Sequence, residues 1–373
     1  MKKRIAINLL TFDSPALTGV GYFFVRLFEA LPPLPNIEFI FFCQRRFELE
    51  KVICMPAGVQ FRRVDVPNFW SRAARIFYEQ CILPFLCRNM DVLYSPCVAN
   101  PLVKINYRTI TTIYDLTPFI VRNKYGLLQG IYVRTITRLL AQFSNRIITI
   151  SESSKSDLVR LLSVSESRIA IVYAFVQSRD VSCVRYDPFF LTVGTRQPAK
   201  NLVGVIRSFA IFCNRYDTEN HQLVVVGGKG WGRDEYSNLA DSLGVGKRII
   251  FRGYVPEDIL NDLYSHCKGL ILLSLYEGFG IPVIEALSWH KPSVASNVSS
   301  LPEVLGATGI TVSPHDYKEA ARAIKAIADD PWKYLTGAED QLSKFSASNQ
   351  VANFLQVLET DNAASKQTAA CMH

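Results

Sequence analysis

The sequence predicts an α/β protein of two doubly wound parallel sheets, Rossmann-like in each half and facing a cleft, on three observations. First, 373 residues exceed what one hydrophobic core usually supports. Second, short β-type runs alternate with helical periodicity, and the series occurs twice. Third, a polar stretch without periodicity, 177–188, interrupts the two series. The expected division is 1–180 for an N-terminal domain and 186–346 for a C-terminal one. A final helix, 347–360, is expected to return to the first domain, and 361–373 to form a flexible tail.

The strands expected in the first half are 5–10, 37–43, 92–95, 109–114 and 146–150. In the second half they are 189–193, 222–226, 249–252, 269–273 and 293–295. Amphipathic stretches between them include 22–31, 202–213, 259–267 and 283–289. In such sheets ligands bind at the carboxyl ends of the strands, so the loops after them are where chemistry is sought.

The net charge of +8 is unevenly shared. Residues 1–185 hold 24 Lys+Arg against 13 Asp+Glu, a net +11, and the remainder holds 17 against 20. A basic first half suits phosphate-bearing or anionic-membrane partners, and a generally basic surface without a partner is the plain alternative. The nine cysteines are irregularly spaced and make neither a C-x-x-C pair nor a zinc pattern, so buried free thiols in a reducing cytoplasm are expected. The apolar run behind Lys2, Lys3 and Arg4 is too short for a signal sequence. No run approaches the roughly 20 apolar residues of a membrane span, so a soluble or peripheral protein is expected.

Four loops carry candidate chemistry. Gly19-Val20-Gly21, after Thr18 and ahead of a helix, would let amides approach a phosphate. Phe24 stands where a dinucleotide fingerprint requires its third glycine, so a simple tight turn competes. In 194–202, which opens on Gly194, Arg196 and Lys200 are close enough to face one anion and Asn201 can cap the next helix. The glycine-rich 227–232 contains Lys229 but lacks the Lys-Ser/Thr of a P-loop, which argues against an NTPase. The fourth loop, 275–286, is the most informative. Pro282 suits a first helical turn, and Gly278, Phe279 and Gly280 before it would present amides and a helix dipole to an anion. Glu277 stays in the loop, while Glu285 projects one turn into the helix. Two carboxylates flanking an anion-binding helix start suit a ligand with phosphate in the middle and hydroxyl-rich groups at both ends.

With these residues the sequence resembles the retaining GT-B glycosyltransferases of family 4. Glu277 and Glu285 match that family's E-x7-E pattern, and 194–202, 227–231, 252–257 and 295–304 extend the likeness through the second half. In the first half it rests on Gly19-Val20-Gly21, Thr112-Ile113-Tyr114-Asp115 and Ile150-Ser151-Glu152. The subgroup most similar is bacterial mannosyl- and rhamnosyltransferases of surface polysaccharides. The resemblance implies that Glu285 binds the ribose and Glu277 contacts the transferred sugar. It implies that amides around Phe279, Gly280 and Ile281 hold sugar hydroxyls or phosphate, and that Lys200 serves the diphosphate. Catalytic roles then fall to Glu277, Arg196, Lys200 and Asp115, and donor contacts also to Gly19, Gly21, Gly194 and Lys229. Tyr114 and Ser151 would lie next to acceptor or sugar. The family keeps the anomeric configuration without a metal, and no Asp-x-Asp pair is present here, so no cofactor is expected beyond the nucleotide-sugar, with GDP-mannose as first choice. Cationic groups at the leaving diphosphate would be the main catalytic device. Three positions depart from the family. Ala199 replaces a frequent Arg, for which Arg196 could compensate; Tyr114 replaces a frequent His; and Ala347 follows Ser346 where an aromatic is common.

The expected acceptor is lipid-linked or an oligosaccharide, as in lipopolysaccharide O-antigen or exopolysaccharide synthesis. Two stretches of the basic half could meet an anionic membrane: 70–77 with 82–86, and 125–140 with Arg134 and Arg138. Each could equally be an ordinary amphipathic helix with its apolar side in the core. Competing readings are rhamnosyl or N-acetylhexosaminyl transfer on the same fold, a sugar-nucleotide epimerase or phosphorylase, and a non-catalytic partner of a polysaccharide assembly complex. No nucleic-acid motif is present, so no nucleic-acid partner is expected.

Overall fold

The computed structural model describes residues 2–12, 19–103, 105–121, 126–177, 179, 184–230 and 235–360. Thr18, Tyr125, Trp231, Gly232, Cys183, Cys371, part of the 177–188 stretch and the expected tail lie outside them.

The first unit is built on a sheet of seven parallel strands. They are β1 (Lys3–Asn8), β2 (Ile37–Gln44), β3 (Gln60–Val66), β4 (Val92–Ser95), β5 (Arg108–Thr112), β6 (Arg146–Thr149) and β7 (Ile169–Ile171), in the order β3-β2-β1-β4-β5-β6-β7. β1 pairs in register with β2 from Lys3↔Ile37 to Asn8↔Phe42, and with β4 from Ile5↔Val92 to Ile7↔Tyr94. The chain thus winds outward from β1 to one edge and then from β4 to the other, so the sheet has its topological switch point between them. Ile5, Ala6 and Ile7 are all inaccessible, as are Val92, Leu93 and Tyr94. Burial on both faces explains why the central strands read as unbroken apolar runs rather than alternating ones.

Ala347–Glu359 forms a helix that packs into this unit. Its Phe354 is fully buried, with ring centroids 5.8 Å from Phe28 and 5.2 Å from Tyr94. The Gln350 side chain accepts a 2.9 Å hydrogen bond from the Tyr173 amide, which anchors the helix beside β7.

The second unit has six parallel strands: β8 (Phe189–Val193), β9 (Gln222–Val226), β10 (Ile249–Gly253), β11 (Gly269–Leu272), β12 (Ser293–Ser296) and β13 (Gly309–Val312). Their order is β10-β9-β8-β11-β12-β13, which repeats the winding of the first unit and sets its switch point between β8 and β11. Phe190, Ile206, Phe209, Phe212, Ile271, Val294 and Ile324 fill one core on the side of the Leu202–Arg215 and Tyr317–Asp329 helices. The predicted fold class of two Rossmann-like parallel sheets is therefore what the chain adopts.

Three strands went unforeseen. β3 reads Gln-Phe-Arg-Arg-Val-Asp-Val and is largely exposed at a sheet edge, where charge replaces apolar patterning. β7 and β13 are the short opposite edges, three and four residues long. Three expectations of local structure are corrected and one helix is given its bounds. The Gly19–Glu29 helix already contains Gly19 and Gly21, so these glycines belong to its first turn rather than to a preceding loop. The helix buries Phe23, Phe24, Leu27 and Phe28. The second expected membrane-facing stretch is a Leu127–Phe143 helix. The first is split: Arg72–Phe77 is α-helical, Tyr78–Ile82 makes a π-helical turn, and Leu83–Leu86 resumes the α-helix. Of the described thiols, Cys43, Cys87 and Cys267 are buried, Cys97 and Cys213 are half-buried, and Cys54 and Cys81 are exposed, against the expectation of buried thiols; Cys81 lies within the π-helical turn.

Candidate donor site in the second unit

The loops after β8 and β11, the two strands at the switch point, come together through named contacts. The Leu275 amide donates to the Ala199 carbonyl at 2.8 Å, which ties one loop to the other. Within the first loop, Pro198–Lys200 makes a single 3₁₀ turn, and Asn201 follows with φ of 50°, a left-handed conformation that asparagine tolerates. The Asn201 side chain then does three things. Its carbonyl oxygen accepts from the Gly204 amide at 3.2 Å and caps the Leu202–Arg215 helix. Its amide donates to the Leu273 carbonyl at 2.9 Å and to the Pro314 carbonyl at 3.0 Å. The expected cap is thus also a clamp between three loops at this end of the sheet.

The clamp places Lys200 against Glu277. Lys200 Nζ donates to Glu277 Oε1 at 2.6 Å, with side chains 23% and 10% exposed. Ser274 Oγ donates to the same oxygen at 2.6 Å. The Glu277 amide donates to Ser299 Oγ at 2.9 Å, while Ser300 Oγ donates to the carbonyls of Glu277 (3.1 Å) and Phe279 (2.7 Å). Ser299 itself takes φ of 52°. The carboxylate is therefore held from its oxygen and from its backbone, by residues of three separate loops.

Gly280 turns the chain from this loop into the Ile281–Ser288 helix, with φ of 110°. A side chain there would meet Leu301 Cδ2 at 2.7 Å, and the positive φ is what favours glycine. Pro282 stands in the first turn as expected, where its missing N–H leaves no bond unmade. Phe279 packs its buried ring edge-on against Phe345, 5.4 Å between centroids. Glu285 lies one turn into the helix, and its Oε2 accepts from the buried Tyr264 hydroxyl at 3.0 Å. Burial, reinforced by the Glu285 carboxylate, pushes the Tyr264 phenol well above its ordinary pKa, so it remains a donor.

Gly194 and Lys229 complete the same edge. The Arg196 amide donates to the Gly228 carbonyl (3.0 Å), and the Gly230 amide returns to the Arg196 carbonyl (3.1 Å), so Arg196 and Lys229 form a parallel bridge. Gly227, at φ of 139°, passes so close to the first loop that a Cβ would lie 2.0 Å from the Gly194 carbonyl oxygen. The Arg196 guanidinium sits 6.0 Å above the Phe251 ring, while Lys229 is exposed. Arg196, Lys200, Lys229, Glu277 and the Gly280 turn thus belong to one end of one sheet.

The first unit places its expected residues separately. The Tyr114 hydroxyl donates to the Val20 carbonyl at 3.5 Å, and its ring meets Phe23 edge-on at 5.6 Å. Burial pushes its phenol well above the ordinary pKa, which suits a neutral hydroxyl. Asp115 accepts from the Thr117 amide at 2.7 Å in a local turn. Ser151 is buried and caps the Glu152–Leu162 helix by accepting from the Ser154 amide at 3.0 Å. Gly19, Gly21, Tyr114, Asp115 and Ser151 all follow β1, β5 or β6, and Ser154 Oγ donates to the Tyr114 carbonyl at 2.9 Å.

Sequence reasoning assigned no role to Ser274, Ser299, Ser300 or Tyr264. Serines carry no periodic signal, and the bonds of Ser299, Ser300 and Tyr264 join positions 21 to 23 residues apart, while Ser274 acts locally on Glu277. Ser299 and Ser300 could have been singled out as adjacent hydroxyls following β12, at the ligand-facing end of the sheet.

Comparison with known proteins agrees with this geometry. Residues 180–345 match the family model described as "Glycosyl transferases group 1". The "O-antigen chain mannosyltransferase B" of Escherichia coli is 28% identical over 259 residues, 65% of this chain and 68% of that protein. The "Serotype-specific mannosyltransferase WbdA" of Escherichia coli is 26% identical over 276 residues, 68% of this chain, but the match spans only 34% of that longer protein. The solved structure titled "lipopolysaccharide outer core galactosyltransferase WaaB apo form" superposes with a TM-score of 0.70 at 17% identity, covering 95% of this chain and 99% of that one. Two sheets wound alike, a Lys–Glu pair at the switch point of the second and a family match over that unit converge: the chain is a glycosyltransferase of the GT-B fold, whose second unit matches the group 1 glycosyl transferases over residues 180–345.

Proposed function

We propose that the protein transfers mannose from GDP-mannose, with retention at the anomeric carbon and without a metal, onto a lipid-linked or oligosaccharide acceptor in O-antigen or exopolysaccharide synthesis. The observation that carries this reading is the Lys200–Glu277 contact of 2.6 Å at the switch point, with Glu285 one helical turn beyond. A cation there meets the diphosphate, and carboxylates on either side take hydroxyls of sugar and ribose. In the transfer step the sugar–phosphate C–O bond breaks, the electron pair leaves with the nucleoside diphosphate, and an acceptor hydroxyl oxygen forms the new bond. Its proton passes to the departing diphosphate. Lys200 and Arg196 stabilise the charge that develops on that group, while Glu277 orients the sugar. The choice of mannose is supported by what the relatives' names say of those proteins.

Among the described residues no helix is long and apolar enough to cross a membrane. Contact with an anionic membrane is supported instead by the basic first half and by exposed Trp70, Phe77 and Phe85. The test of the donor is thermal stabilisation by GDP, UDP and dTDP at equal concentration, followed by transfer of labelled mannose from GDP-mannose. GDP should give the largest shift, and the product should retain the α configuration by NMR. A larger shift with UDP, or an inverted product, would overturn the reading.

A further inference from the structure

Ser274 lies just beyond β11, between two points at which the chain is fixed to the loop that carries Lys200. Before it, the Leu273 carbonyl accepts from the Asn201 side-chain amide at 2.9 Å. After it, the Leu275 amide donates to the Ala199 carbonyl at 2.8 Å. Ser274 itself is fully buried, and its hydroxyl donates to Glu277 Oε1 at 2.6 Å. A one-carbon side chain on a backbone held at both neighbours has little freedom to point elsewhere.

The two oxygens of Glu277 are treated unequally. Oε1 receives both Ser274 Oγ and Lys200 Nζ, each at 2.6 Å. A carboxylate has about four lone-pair sites on its two oxygens, so these two donors fill the share of Oε1. The backbone of Glu277 is fixed as well, its amide on Ser299 Oγ and its carbonyl on Ser300 Oγ. Among the described residues no donor reaches Oε2. The Glu277 side chain is 10% exposed, and a carboxylate oxygen so sheltered costs free energy unless a donor meets it.

Ser274 and Lys200 hold Oε1 in different ways. Lys200 is a cation on a flexible four-carbon stem, carries three donors and spends one of them here, so it can turn toward a diphosphate. Ser274 has one donor, and its place is set by the backbone on both sides. It therefore fixes the rotation of the carboxylate whichever way Lys200 turns. With Oε1 filled, Glu277 cannot straddle a vicinal diol with one oxygen on each hydroxyl. Oε2 alone remains to accept.

We propose that Ser274 is a positioning residue for sugar recognition: by occupying Oε1 it leaves Glu277 a single accepting oxygen, so that the site reads one hydroxyl of the transferred sugar rather than a vicinal pair. This deepens the donor reading above and rests on it, since Glu277 is there the carboxylate that orients the sugar. Ser274 touches no substrate and acts only through Glu277.

Steady-state transfer by the full chain tests it, with the nucleotide-sugar the protein uses, GDP-mannose in the reading above, and with its monodeoxy analogues. Wild type should lose about 10–100-fold in kcat/KM for one analogue, as expected for a hydrogen bond to a charged group, and far less for the others. Ser274→Ala should reduce that preference to under about 5-fold, because the two changes act on one contact. Its affinity for the nucleoside diphosphate alone, which carries no sugar, should stay within about 2-fold of wild type. Ser274→Cys keeps the side chain's shape with a weak donor, so it should behave as Ser274→Ala does. Coincident thermal melts establish that both variants fold. An equal loss for two analogues deoxygenated at adjacent carbons overturns the proposal, because it requires both oxygens. So does a uniform loss across parent and analogues in Ser274→Ala, or full preference in Ser274→Cys, either of which makes Ser274 a packing residue. Wild-type indifference to every analogue removes Glu277 from sugar recognition and sinks the donor reading with this one; preference kept in both variants sinks the role of Ser274 alone.

Discussion

Lys200 Nζ and Glu277 Oε1 meet at 2.6 Å although 77 residues separate them, because the strands that precede them, β8 and β11, are neighbours at the switch point of the second sheet. The pair therefore acts as a unit, and its variants should be non-additive. Lys200→Ala and Glu277→Gln should each lower kcat/KM by about 10²–10³-fold, the range for removing one preorganised electrostatic group. The double variant should lose far less than the product of the two. Steady-state transfer kinetics on the three variants decide this, and a multiplicative loss would show that the two residues serve separate steps.

Two glycines should respond differently to the same added methyl group. Gly227 and Gly280 both have positive φ, at 139° and 110°, which costs an L-residue about 1–3 kcal/mol. At Gly280 the obstacle is Leu301 Cδ2, the end of a side chain that can rotate away. At Gly227 it is the Gly194 carbonyl oxygen, 2.0 Å from the added Cβ, and backbone has to move. Gly227→Ala should lower Tm by at least about 5 °C, and Gly280→Ala by less. Gly280→Ala should instead show its main effect on nucleotide affinity. Differential scanning fluorimetry with and without GDP separates the two, and a larger Tm loss at Gly280 would contradict the steric argument.

What the sequence made legible follows from what sets each feature. Central strands such as 92–95 and 269–273 are buried on both faces, so they announced themselves as apolar runs. The edge strand β3 carries Gln60, Arg62 and Asp65 toward solvent and left no such trace. The Glu277–Glu285 spacing was legible because it is local, fixed by one glycine turn and one helical turn. Its support was legible only in part: Ser274 stands three residues from Glu277, whereas Ser299 and Tyr264 reach the two glutamates through tertiary bonds.

Glu79 should make the stability of the first unit depend on pH in a defined direction. Burial raises its carboxyl from 4.5 to about 7, against the opposing pull of Arg75. Cys97, and Tyr132 on the Leu127–Phe143 helix, also feel its charge. A folded-state pKa above the unfolded one favours the protonated form in the fold. The contribution is complete below about pH 4.5 and is lost as pH rises through about 7, by about 3 kcal/mol in total. Glu79→Gln abolishes this loss. Between pH 5 and pH 8 the variant should therefore gain stability relative to the parent in urea titrations, and parallel pH profiles would show that Glu79 stays ionised in its pair with Arg75.

Phe354 tests how firmly the last helix belongs to the first unit. Its ring is fully buried between Phe28 on the Gly19–Glu29 helix and Tyr94 on β4, which joins three segments far apart in sequence. Arg108 adds a 2.8 Å bond from its guanidinium to the Leu358 carbonyl near the helix end. Phe354→Ala removes the wedge and leaves a cavity that Phe28 and Tyr94, both packed on strands or helix neighbours, fill only in part. The expected cost is about 3–5 kcal/mol, and Phe354→Leu should cost less because it keeps most of the volume. Since Tyr94 also bonds Thr112 through its hydroxyl at 2.9 Å, its ring is held on the far side and collapses little. Urea denaturation followed by tyrosine fluorescence gives the difference directly. A loss under about 1 kcal/mol for Phe354→Ala would mean that the helix contributes no core, and that the unit is complete with β7.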